Sequence, residues 1–230
     1  MQNVAVIGLH FSGSTRLYNF LRLVYTALNY NIYCKSFDSE FYLKNNSNDK
    51  SVCVLKSHFH KKYTINFFKN NNYKVLMPYR DIRDCVITGI KRGFIKRNIK
   101  NVIHSMKKEA LAYQLYTKNF KGLDILKVKY ENWNSLLALE ILTFLNITLS
   151  KEQLNNILNE LELLKKDDRL PERDCLKNNI YQYTYLSKSH ITSNGESKKY
   201  LNFFTKKENE DILKEKIIFN FLKNNNYIQI

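Results

Sequence analysis

The sequence predicts an α/β domain in which a mostly parallel central sheet is flanked by helices on both faces. Three observations lead there. Short, continuous, β-branched apolar runs such as Val4-Ala5-Val6-Ile7 and Val52-Cys53-Val54-Leu55 read as strands buried on both faces. Segments of helical spacing stand between such runs, as in Leu17, Phe20, Leu21, Val24 and Leu28. The alternation of the two patterns lays strands in parallel and helices across the faces. A chain of 230 residues suits one such domain, spanning 1–230.

In chain order, Val4 to Leu9 is the first strand, and a glycine-framed loop leads from it into the first helix. Tyr30 to Phe37 reads as a second strand, and Asp38 to Lys50 as a polar connection. Ser51 to His58 is a third strand, ending in polar residues. A short helix from about Thr64 to Lys69 precedes the strand Tyr73 to Arg80. Asp81 then opens a helix with acidic residues in its first turn. A helix from Ser105 to Phe120 precedes the strand Asp124 to Tyr130. Amphipathic helices follow over Trp133 to Leu145 and Ser150 to Leu164, the second with Ser150 as N-cap and Gln153 in the capping-box position. Lys165 to Asn179 contains Pro171 and reads as a loop. Thr205 caps a last helix that runs to about Lys223. The runs Lys69-Asn70-Asn71-Asn72 and Lys223-Asn224-Asn225-Asn226 read as two helix C-caps.

The formal charge of +16, from 37 Lys and Arg against 21 Asp and Glu, sets up a field that attracts anions. A phosphorylated cofactor, a polyanionic glycan, an acidic surface or nucleic acid all answer to it. Arg92 to Lys108 is a basic region, either a solvated helix face or the lining of a cleft for an acidic acceptor. Cys34, Cys53, Cys85 and Cys175 form no C-x-x-C pair and read as reduced core thiols, and His58 and His60 near Cys53 lack zinc spacing. There is neither a basic leader nor an apolar run of membrane-spanning length, so the expectation is a soluble, cytoplasmic protein without a membrane span.

The first loop carries the chemistry. A strand that turns through small residues into a helix aims backbone N–H groups and a positive helix end at one point, which suits phosphate or sulfate. Gly8, Gly13 and Thr15 fit the frame G-x-x-x-x-G-K-[ST] of the nucleotide-triphosphate loop, but Ser14 stands where the lysine belongs. The frame indicates a P-loop type of fold, and the missing lysine argues against kinase or NTPase chemistry. Strand ends gather ligands in such sheets, so Lys56, His58 and Arg80 converge on the same edge. Arg80 and Thr88 supply a guanidinium fork and a hydroxyl, a suitable pair for a phosphate.

Phe11-Ser12-Gly13-Ser14-Thr15, Lys56-Ser57-His58, Tyr79 to Asp84 with Thr88, Lys129-Tyr130-Glu131, and Ile191 to Gly195 followed by Phe204-Thr205 occur in this order. In that order the chain resembles the PAPS-dependent sulfotransferases over nearly its whole length. The resemblance implies transfer of a sulfuryl group from 3′-phosphoadenosine 5′-phosphosulfate (PAPS) to a hydroxyl or amine of an unidentified acceptor, acidic and glycan acceptors included, with nucleic acid not expected. It implies that Ser12, Gly13, Ser14 and Thr15, with Phe11 and Arg16 beside them, hold the 5′-phosphosulfate. It assigns the 3′-phosphate to Arg80 and Thr88, the neighbourhood of the adenine to Tyr130, and a late covering segment to Ser193, Asn194 and Gly195. His58 takes the role of catalytic base, and Lys56 neutralises developing charge. The family usually has Lys or Arg at the position of Phe11, leaving Lys56, His10 or Arg16 to supply that cation. Arg and Lys are common at Ser193 and Asn194, where Lys198 or Lys199 is the substitute. The alternatives are a P-loop nucleotide or nucleoside kinase and a non-enzymatic basic module that binds polyanions.

Overall fold

The computed structural model describes residues 3–36, 52–58, 62–164 and 196–229. Strands β1 (Val4–Ile7), β2 (Ile32–Ser36), β3 (Val52–Ser57), β4 (Lys74–Tyr79) and β5 (Asp124–Lys129) form one five-stranded sheet in the order β2-β3-β1-β4-β5, and each pairing is parallel. From the central β1 the chain first fills one side of the sheet and then crosses to the other. The carboxyl ends of all five strands therefore open on one edge, with the crevice of the topological switch at the end of β1.

The helices are α1 (Ser14–Ala27), α2 (Lys62–Asn70), α3 (Ile82–Lys91), α4 (Ile99–Asn119), α5 (Ser135–Phe144), α6 (Lys151–Leu163), the short α7 (Tyr200–Phe203), α8 (Lys206–Lys214) and α9 (Lys216–Asn224). Alternate strand residues feed two cores. Val4, Val6, Val52 and Val54 pack under α1, α5 and α6, whereas Ala5, Ile7, Cys53, Leu55, Val75 and Met77 pack under α2, α3, α4, α8 and α9. Burial on both faces is what the unbroken apolar runs require. Cys53 and Cys85 are free, buried thiols.

Local chemistry sets the ends of the helices. Ser150 and Gln153 form a reciprocal capping box, as do Thr205 and Glu208. Asn72 and Asn226 close α2 and α9 with φ of 51° and 58°, the left-handed geometry expected of both Asn runs. Two boundaries differ from the sequence reading. Helix α4 begins at Ile99, capped by the Asn98 side chain, so residues 99–108 of the basic region belong to the helix while Arg92, Lys96 and Arg97 precede it. The single C-terminal helix is two, interrupted at Glu215, whose ψ of 102° turns the chain so that Ile212 and Ile218 both reach the core. The expected loop over 165–179 lies outside the described residues, and so do Cys175, His60 and the side chain of Cys34. No helix among the described residues is long and apolar enough to cross a membrane.

Candidate active site

The loop after β1 is built by contacts that only small residues permit. A Cβ on Gly8 would lie 2.7 Å from Pro78 Cγ, so glycine lets β1 and β4 close at this edge. Pro78 follows the last β1–β4 pair, Val6 with Leu76, so its missing N–H costs no ladder bond on that side. Ser12 turns inward, and its hydroxyl donates to the carbonyls of Leu9 at 2.7 Å and Pro78 at 3.1 Å. Phe11 and Gly13 take positive φ, 58° and 88°.

Gly13 is the N-cap of α1 and has no side chain to cap it. The first helical bond is donated by Leu17 N–H to Gly13 carbonyl. The N–H groups of Ser14, Thr15 and Arg16 are the orphan donors of a helix start, at the positive end of its dipole. This is an anion-receptive geometry. The Arg16 guanidinium leaves the loop, pairing with Glu162 of α6 and lying 4.8 Å over the Trp133 ring. Arg16 therefore faces the loop through its backbone.

Tyr130 lies in the short 3-10 turn Tyr130–Asn132 at the end of β5 and joins two parts of the site. A Cβ on Gly13 would be 2.6 Å from Tyr130 Cε2, and the Arg80 guanidinium sits 4.5 Å over the same ring. Arg80 is 2% exposed, pairs with Asp84 at 3.6 Å and donates to the Glu196 carbonyl, while its Nε has no hydrogen-bond partner. Thr88 stands on the next turn of α3, its hydroxyl donating to the Asp84 carbonyl at 2.9 Å.

Asp84 is completely buried and accepts from the backbone N–H of Lys198 at 2.7 Å and of Tyr200 at 3.3 Å. Burial pushes its carboxyl up, against the pull of Arg80. Asp81 caps α3 and takes a bidentate fork from Arg83, whose guanidinium lies 3.4 Å over the Tyr200 ring. Glu131 is structural, accepting from Asp81 N–H and from the Tyr227 hydroxyl, each at 3.0 Å. The sequence showed Asp81 and Asp84 only as a helix start. Their role in fastening residues 198–200 to α3 depends on contacts more than a hundred residues apart.

On the β3 side, His58 follows the last strand residue, its Nδ1 donating to the Gly8 carbonyl at 2.8 Å, which leaves Nε2 as the nitrogen that can accept a proton. Burial holds its pKa well below the usual histidine value, and the positive charges of Lys56 and His10 act in the same direction. Its carbonyl accepts from the Tyr116 hydroxyl at 2.7 Å. His10 stacks on it at 4.4 Å, and Glu109 of α4 holds His10 twice, at Nδ1 (2.9 Å) and at the backbone N–H (3.0 Å). Glu109, 99 residues from His10, gave no signal in the sequence. Phe11, where a cation was expected, packs against Phe94 and under Arg92, whose guanidinium lies 5.3 Å over its ring.

His58, Lys56, the 11–15 loop, Arg80, Thr88 and Tyr130 thus share the carboxyl edge of the sheet. Ser193, Asn194 and Gly195 lie outside the described residues. No group of three or more His, Cys, Asp or Glu among the described residues could hold a metal ion.

Fold and site define a parallel α/β domain with an uncapped helix start and a buried arginine at the same edge. The chain belongs to the sulfotransferase domain family, whose profile matches residues 2–217. Comparison with curated protein sequences gives no match. Among solved structures, the chain is similar to mouse sulfotransferase SULT7A1 complexed with PAP, at 12% identity and a TM-score of 0.71, over 94% of this chain and 84% of that one. It is also similar to retinol dehydratase with androsterone and inactive cofactor PAP, at 15% identity and a TM-score of 0.65, and with retinol and PAP, at 16% and 0.65. Both cover 97% of this chain and 82% of theirs. At these identities the likeness concerns the fold.

Proposed function

We propose that the chain transfers a sulfuryl group from PAPS to a hydroxyl or amine of its acceptor, with His58 as the general base. One observation carries this reading. The uncapped start of α1 and the buried Arg80 are two anion-receptive positions that both adjoin the Tyr130 ring. A nucleotide with a phosphate group at each end of its ribose fits such a pair, and the relatives described with PAP support the same class of donor.

When bound, the donor supplies the sulfuryl group and an adenosine bisphosphate leaving group. The N–H groups of Ser14, Thr15 and Arg16 bind the 5′ end, with fixed dipoles that need no reorganisation. Arg80 and Thr88 hold the 3′-phosphate, and Tyr130 lies beside the adenosine. His58 Nε2 takes the acceptor proton while the Gly8 carbonyl fixes the Nδ1–H tautomer. Lys56, two residues before His58 at the same strand end, offsets negative charge on the moving group.

Titration calorimetry with adenosine 3′,5′-bisphosphate and with ADP, each with and without Mg²⁺, tests the reading on wild type and Arg80→Ala. The expected result is metal-independent binding of the bisphosphate that weakens in the variant. A preference for Mg·ADP would replace this function with a kinase.

A further inference from the structure

We infer that Glu109 is a positioning residue for the reaction: from α4 it clamps His10 and, through the His10 ring, holds His58 to one tautomer and one orientation. This rests on the reading of His58 as the base, which it deepens.

Glu109 is a charge in an otherwise uncharged place. Helix α4 buries Val102, Met106, Glu109, Ala110, Tyr113 and Tyr116, and among these Glu109 alone is charged. It is 8% exposed. A carboxylate withdrawn from water that far destabilises the fold unless its oxygens find donors. Both find them on one residue. Oε1 meets His10 Nδ1 at 2.9 Å, and Oε2 accepts from the His10 backbone N–H at 3.0 Å. An apolar side chain would suit this face of the helix without any such demand, and departures of that kind fall at functional positions.

The clamp fixes the backbone and the ring of His10 together. With Nδ1–H donated to a carboxylate, the ring neither flips nor changes tautomer without breaking a charge-assisted bond. That ring lies against His58, with centroids 4.4 Å and planes 19° apart. Tyr116, seven residues along the same face of α4, donates its hydroxyl to the His58 carbonyl at 2.7 Å. The Gly8 carbonyl meets His58 Nδ1 at 2.8 Å. His58 is thus held at its main chain by Tyr116, at its inner edge by Gly8 and across one face by His10. A carbonyl alone leaves an imidazole free to swing about its side-chain bonds, and the clamped ring closes that route. Nε2 is the edge left for the acceptor proton, and a base is effective only when held in that geometry.

The experiment is a long-range proton–nitrogen correlation spectrum of histidine-labelled protein at pH 8, with the His58 signals identified by their loss in His58→Gln. Wild type should show one His58 tautomer, protonated at Nδ1 and bare at Nε2. Glu109→Gln keeps the shape of the side chain, but its one carbonyl oxygen cannot hold both His10 groups. In Glu109→Gln and in His10→Ala the His58 signals should move to the averaged positions of two exchanging tautomers. Sulfate release from PAPS with water as acceptor gives the second readout. There the water oxygen bonds to sulfur as the bond to the 5′-phosphate oxygen breaks, and the water proton passes to His58 Nε2. Release should fall roughly 10- to 100-fold in either variant, with bisphosphate affinity within a few-fold of wild type, which separates misplacement of the base from a folding defect. The double variant should lose no more than His10→Ala does, because Glu109 acts through His10. A single Nδ1–H tautomer that persists in both variants would overturn the inference and leave the proposed function standing. Additive losses in the double variant would overturn it too, by giving Glu109 a role apart from His10. Failure of wild type to bind the bisphosphate would remove the proposed function and this inference with it.

Discussion

The imidazoles of His10 and His58 stack with centroids 4.4 Å apart and planes 19° apart, and Glu109 holds the outer ring while the Gly8 carbonyl holds the inner one. Two rings at that distance resist carrying two charges. Burial first, and then the neighbouring Lys56 and His10, favour a neutral His58, the form a base needs. His58→Ala should abolish turnover from PAPS and leave bisphosphate affinity within a few-fold of wild type. Full turnover in that variant would remove His58 from the chemistry.

The same residue predicts an acid limb in stability. His58 stays neutral in the folded protein below its ordinary pKa of 6.5, whereas the unfolded chain takes the proton. Its contribution is therefore fully present above pH 6.5 and is lost as pH falls towards the depressed folded value. One group limits the slope to about 1.4 kcal/mol per pH unit. Urea unfolding between pH 7 and 5 should show a shallower decline for His58→Gln than for wild type.

Arg80 combines a binding role with a structural one, and a second substitution separates them. Arg80→Ala leaves Asp84, which is wholly buried, without its cation, a loss of about 3–5 kcal/mol for broken buried pairs. Adding Asp84→Asn should recover part of the melting temperature, because the buried charge is gone and the amide oxygen can keep the shorter of the two backbone bonds, that from Lys198. Bisphosphate binding should stay weak in the double variant. Recovery of both would make Arg80 purely structural.

Gly13→Ala meets both a steric and a torsional barrier. The added methyl would overlap the Tyr130 ring, and the φ of 88° disfavours any Cβ. A loss of about 2–3 kcal/mol, or roughly 4–12 °C in Tm for a chain of this size, is expected with reduced nucleotide affinity. A melting curve unchanged from wild type would mean that the ring moves aside freely.

Arg16 provides the opposite control. Its side chain serves Glu162 and Trp133, so Arg16→Ala should cost about 0–1 kcal/mol and leave bisphosphate affinity unchanged. A large fall in affinity would show that the guanidinium swings back to the loop.

The sequence revealed what depends on neighbours along the chain. The continuous apolar runs at β1 and β3, the capping pair Ser150 and Gln153, and the left-handed Asn72 and Asn226 are local signals, and each appears where expected. The start of α4 was also written locally, in Asn98 and the spacing of Ile99, Val102, Ile103 and Met106, but the surrounding lysines and arginines hid it. What the sequence could not reveal lies between distant residues. Glu109 meets His10 only because α4 packs beside the β1 loop, and Asp84 meets Lys198 and Tyr200 only because the late segment folds back over α3. The destination of the Arg16 side chain is of this kind as well, since Glu162 comes from α6, which packs beside α1 on the same face of the sheet but lies 146 residues along the chain.

Ser12 adds a consequence for the timing of the energy costs. Its hydroxyl reaches both Leu9 and Pro78, so the loop is tied to its own strand and to the next before any anion arrives. The entropy of ordering the loop is therefore settled during folding and not charged against each encounter. An incoming anion finds donors already facing it, and recognition at this end becomes a question of fit and charge, with little waiting for the chain to rearrange.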